Sequence, residues 1–144
     1  MTESPPPPNV PPGWPREVTP PGTEGWEDSA ARWLIQWMPP GYRRHGVLRQ
    51  EPAILAYMAQ REIEASLNAA RRGFSTTRAD LREAGLEPDV IEKALSVYSE
   101  EGARLAQLEQ QVGMLADALI RGVRWRPPPR RTQDDSSRRR GGMG

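Results

Sequence analysis

Two runs of apolar residues, each stepping by alternating fours and threes, flank a single short break in this chain. Ile63, Leu67, Ala70, Phe74, Thr77, Leu81 and Ala84 form the first run. Ile91, Ala94, Tyr98, Glu101, Leu105, Leu108, Val112, Leu115 and Leu119 form the second. That spacing is the heptad of a coiled-coil seam, in which one stripe of a helix faces a partner. The first run passes through Gly73-Phe74-Ser75-Thr76-Thr77 without losing phase. Propensity alone would end a helix there, since glycine costs about 1 kcal/mol and threonine is a poor helix former. The unbroken phase predicts one helix over 52–84, with Pro52 at the first position, where a missing N–H costs nothing.

The break itself is a helix stop followed by a helix start. Gly85 suits the left-handed residue after a helix C-terminus, with Leu86 as the apolar residue of a Schellman motif. Pro88 suits the first position of a second helix, predicted over 88–121. So short a connection forces antiparallel neighbours. Folding there brings Leu81 near Ile91 or Glu92, Phe74 near Tyr98, and Leu67 near Leu105. The fold class is therefore all-α: a long antiparallel helical hairpin, coiled-coil-like, within one helical domain spanning 26–122.

A short Trp-rich N-terminal helix is predicted over 26–38. Trp26, Ala30, Trp33, Leu34 and Trp37 share one of its faces, Glu27 and Asp28 suit the positive end of its dipole, and Pro39-Pro40 stop it. This helix is expected against the open end of the hairpin, near Ile54, Met58, Leu115 and Leu119. Its tryptophans serve either as core cover or as a partner-binding face, tryptophan being enriched at interface hot spots. Trp26, Trp33 and Trp37 are thus the candidate partner-binding residues. Residues 39–51 read as a loop.

Both ends read as disordered tails. Nine of the 16 prolines lie in residues 1–21, and residues 1–25 hold too few apolar groups to offset the entropy of ordering them. Pro8 and Pro11 make a PxxP, which is either a ligand for a proline-binding groove or an incidental match in a proline-rich linker. Residues 123–144 form an Arg-rich tail. Residues 122–144 hold seven arginines against Asp134 and Asp135, a net of +5, while residues 27–121 carry a net of −2. Arg124, Trp125, Arg126, Arg130, Arg131, Arg138, Arg139 and Arg140 are candidate nucleic-acid contacts, since guanidinium binds phosphate and indole stacks on bases. The bland reading is a solvated tail. Arginine outnumbers lysine nineteen to one, a bias that codon usage also produces and that weakens any argument from arginine alone.

Chemistry is sparse. The chain has no cysteine, which removes disulfides and thiolate metal sites, and His45, its one histidine, sits in a Gly- and Arg-rich loop, where a lone exposed imidazole reads as ordinary rather than as the base of a triad. Glu62, Glu64, Glu100 and Glu101 resemble a carboxylate cluster, but Arg61 and Arg104 beside them favour a salt-bridged face. No phosphate loop or dinucleotide fingerprint is present. The expectation is a non-enzymatic protein–protein interaction or adaptor module with no cofactor and no metal. It would be cytoplasmic, with no membrane span. Its expected partner is another protein or itself, as a homodimer through helix packing, because Ile54, Met58, Val90, Leu95 and Val97 lie off the main seam. The alternative is a nucleic-acid accessory protein that binds weakly and non-specifically through its tail.

Overall fold

The computed structural model describes residues 10–122. Five helical elements follow in order: α1 (Trp26–Ile35), a 3-10 turn (Pro40–Arg44), α2 (Val47–Gln50), α3 (Pro52–Glu83) and α4 (Pro88–Arg121). The hairpin of α3 and α4, 32 and 34 residues long, is the frame of the molecule. Each arm runs about 50 Å at roughly 1.5 Å per residue.

The turn is built as the sequence implies. Gly85 takes φ +85°, the Leu86 N–H donates to the Leu81 carbonyl and the Gly85 N–H to the Arg82 carbonyl, each at 3.0 Å. Those two bonds define a Schellman motif. α3 does run through Gly73–Thr77 as helix. The Ser75 and Thr76 hydroxyls donate back to the Arg72 carbonyl at 2.9 and 3.0 Å. Such back-bonding lets short polar residues sit inside a helix without stranding a hydroxyl.

The seams need correction at the distal half. Phe74 is 50% exposed instead of sealing the pair. Tyr98 packs over Gly73 in its place: a Cβ on Gly73 would lie 2.4 Å from the Tyr98 Cζ. A bare glycine accepts a ring that no larger residue would admit, so the seam shifts by one position. Leu95, placed off the seam by spacing, is buried at 6% exposure beside the buried Ile91. Ile54 stays exposed, so α1 does not cover it, while Met58 and Leu119 do pack on the core.

The core sits at the open end of the hairpin. Leu34 of α1, Leu48 of α2, Leu55, Ala56 and Ala59 of α3, and Val112 and Leu115 of α4 are all buried there. α1 is three residues shorter than expected, with single turns carrying the chain on to a buried Met38. The loop expected over 39–51 contains the 3-10 turn and α2.

Residues 10–25 depart from the disorder expected of the whole 1–25 segment. Trp14 and Val18 are core residues, 7% and 3% exposed. The chain reaches them through repeated turns. Trp14 donates its backbone N–H to Pro11, Val18 to Pro15 and Thr23 to Pro20, at 3.0, 3.2 and 3.2 Å. Pro11-Pro12-Gly13-Trp14 and Pro20-Pro21-Gly22-Thr23 repeat one pattern, with Gly13 at φ +82° and Gly22 at φ +91°. Proline second and left-handed glycine third is the residue pattern of a type II turn. The Trp14 indole then donates to the Val18 carbonyl at 3.0 Å, and the Thr19 N–H to the Ser29 hydroxyl on α1 at 3.0 Å. Residues 1–9 and the whole tail 123–144 lie outside the described residues.

Candidate functional site

The tryptophans of α1 are largely spent on the core. Trp33 is buried, and its ring meets Trp37 edge-on with centroids 5.7 Å apart. Trp26 is half-buried and tilts against Trp14 at 6.1 Å. Trp37 is also half-buried, with the Arg104 guanidinium 5.9 Å from its ring centroid. Its indole Nε1 is buried and has no hydrogen-bond partner among the described residues. The three candidate residues therefore do not form one open face. Trp33 is buried, and Trp26 at the start of α1 and Trp37, two residues past its end, are each half-buried.

Two of the four clustered carboxylates, Glu64 and Glu101, are paired with the arginines. Glu64 accepts from Arg61 at 3.4 Å, and Glu101 is held by Arg104. The Arg104 hydrogen bond keeps the Glu101 carboxyl below its ordinary value and raises the Arg104 guanidinium. Among the described residues no group of three or more His, Cys, Asp or Glu is placed to hold a metal ion. His45 is exposed at the end of the 3-10 turn. No helix among the described residues is long and apolar enough to cross a membrane. The candidate nucleic-acid contacts, Arg124, Trp125, Arg126, Arg130, Arg131, Arg138, Arg139 and Arg140, all lie outside the described residues.

What the structure does assemble is an open face on the distal hairpin. Ala65, Asn68, Ala69, Arg72, Gly73 and Thr76 line a shallow groove of about 430 Å³ along α3. Ala65, Asn68, Ala69 and Arg72 stand at i, i+3, i+4 and i+7, and so do Ala69, Arg72, Gly73 and Thr76. Four residues so spaced form the hole that receives one knob of a facing helix. On α4, Val90 and Val97 project into solvent, 45% and 63% exposed.

Groove and valines lie on the same side of the hairpin. Ala69, Thr76, Val90 and Val97 each immediately precede a seam residue, namely Ala70, Thr77, Ile91 and Tyr98. In an antiparallel pair, positions preceding the seam share one side and positions following it share the other. Arg78 and Glu92, which follow Thr77 and Ile91, meet across the opposite side at 2.6 Å. Sequence reasoning flagged Val90 and Val97 but missed the groove, whose signal was the small residues Ala65, Ala69 and Gly73 at intervals of four.

Comparison of the chain with protein-family models, with curated proteins and with solved structures finds no match.

Proposed function

We propose that this protein is a non-catalytic helical interaction module, an adaptor whose distal hairpin is the docking element. One observation carries the reading. The open end of the hairpin is closed by α1, α2 and residues 10–25, while the distal half presents Val97 at 63% exposure beside a groove of knob-hole geometry. A closed base gives rigidity, and a half-covered pair of helices invites another helix to complete it. Trp26 and Trp37 supply at most rim contacts in this reading, because most of their surface is already used.

The test is affinity capture from the native cell with the full chain and with its Val97→Glu variant. The reading expects proteins retained by the native chain and lost by the variant, with both chains equally folded by circular dichroism. Identical retained sets from the two chains would count against it.

A further inference from the structure

We infer that the partner of the distal face is a second copy of this chain, docked antiparallel about a two-fold axis. The inference rests on the interaction-module reading and assigns that module its partner.

Three features on this one face fit a single axis. The first is apolar. Val90 and Val97 are seven residues apart on one stripe of α4, and a perpendicular two-fold midway between them sets each against the other valine of the second copy. That midpoint falls between Lys93 and Ala94.

The second is electrostatic. Arg72, Asp80 and Glu83 are exposed on α3, and none has an ion-pair partner among the described residues. Arg72 stands eight and eleven residues from the two acids, about 12 and 16 Å along the helix at 1.5 Å per residue, too far to pair within one chain. An antiparallel copy of α3 reverses the order, so that Arg72 of each copy meets Asp80 and Glu83 of the other. The midpoint of those pairings lies at Thr76–Arg78.

These two midpoints belong to different helices, yet they lie at one level. Gly73 is level with Tyr98 and Arg78 is level with Glu92. Counting along the hairpin from either pair sets Thr77 level with Lys93 and Ala94. One axis therefore serves both the valines and the pairings of Arg72 with Asp80 and Glu83, as an isologous interface requires.

The third feature is the room available. Arg104 continues the stripe of Val90 and Val97 by one further heptad, and there Trp37, two residues past the end of α1, lies over it. Val90 and Val97, further toward the tip, stay exposed. A two-fold between Lys93 and Ala94 brings the tip of the second hairpin, at Leu86, to about the level of Glu101, just short of the Trp37–Arg104 contact. The small residues Ala69 and Thr76 let the two α3 helices approach closely. The result is a four-helix distal bundle in which each tip reaches toward Trp37 of the other copy.

Analytical ultracentrifugation of the full chain at about 100 µM, a concentration that populates even a modest helical dimer, tests this directly. The expected result is a dimer whose dissociation constant rises at least about tenfold with Val97→Glu. Arg72→Glu weakens it as well, and adding Asp80→Arg and Glu83→Arg to that variant restores it. Because the chain lacks cysteine, Thr76→Cys next to the axis cross-links to its counterpart on oxidation, whereas Ser99→Cys on the opposite side does not. A monomer at that concentration, a dimer indifferent to Val97→Glu, or a charge reversal without rescue would overturn the inference. A monomer whose Val97→Glu variant still loses a captured foreign protein would overturn the second copy while leaving the module reading intact.

Discussion

Gly73, Phe74 and Trp37 each show how one position sets the local balance. At Gly73 a Cβ meets the Tyr98 ring, and the crowding outweighs the roughly 1 kcal/mol that alanine gains over glycine inside a helix. Gly73→Ala is expected to destabilise by about 1–2 kcal/mol, and most of that loss disappears in a Tyr98→Ala background. A double-mutant cycle in urea measures the coupling, and additive effects would refute the contact. Phe74 is half-exposed, so Phe74→Ala should cost only about 1–2 kcal/mol, well below the 3–5 of a buried ring. At Trp37 the unpartnered indole N–H already carries a desolvation cost of about 1–3 kcal/mol. Trp37→Phe relieves it while leaving a small void, and stability is expected within about 1 kcal/mol of the native chain. The Glu101 carboxyl is held low by Arg104. Its contribution is therefore complete above the ordinary carboxylate value of about 4.3 and fades as pH falls through its lowered value. Glu101→Gln should flatten that acid limb of stability against pH.

At the scale of elements, residues 10–25 change the picture most. A fragment starting at residue 26 reads as self-sufficient from composition, since the proline-rich segment before it lacks apolar periodicity. The packing says otherwise. Trp14 and Val18 close the outer side of α1, and Ser29 ties that segment to α1 by accepting from Thr19 while donating to the Trp26 carbonyl. Trp14→Ala is expected to lose about 3–5 kcal/mol, as for other buried tryptophans. A fragment starting at residue 26 should melt well below the full chain in a thermal scan. Equal midpoints would show that the segment adds nothing. The two Pro-Pro-Gly segments read only as part of a disordered head. Its outcome as a packed strap was not legible, because whether Trp14 finds cover depends on its meeting Trp26 of α1 in space.

For the whole molecule, charge placement decides between the two kinds of partner. Residues 88–121 carry Lys93, Arg104 and Arg121 against six acids, a net of −3, so a phosphate backbone approaching the tail also meets an acidic helix. A mobility-shift titration comparing the full chain with one ending at Arg126 should show weak RNA and DNA binding near physiological salt. Any difference should fall steeply as salt rises, since it would come from counterion release. Tight, sequence-dependent binding by the full chain would favour the nucleic-acid reading over the adaptor.

The heptads, Gly85 and Pro88 determined the hairpin by themselves, including its level pairing to within about two or three residues, because helix phase and turn chemistry are local and short-ranged. Carboxylate pairing with Arg61 and Arg104 was equally legible, since neighbours three residues apart on a helix meet whatever the tertiary fold. Only the tertiary structure decided which apolar residues stay wet. Leu95 is buried and Phe74 is not because Tyr98 settles over Gly73. Trp14 and Val18 join the core although they lie in a proline-rich segment, a contact with α1 that no periodicity links. The distal face is open because the cover over the stripe of Val90 and Val97 is seen only as far as Trp37 over Arg104. Pro39-Pro40 limit how long the covering helix can be, but how far along the hairpin it reaches is a matter of three-dimensional packing.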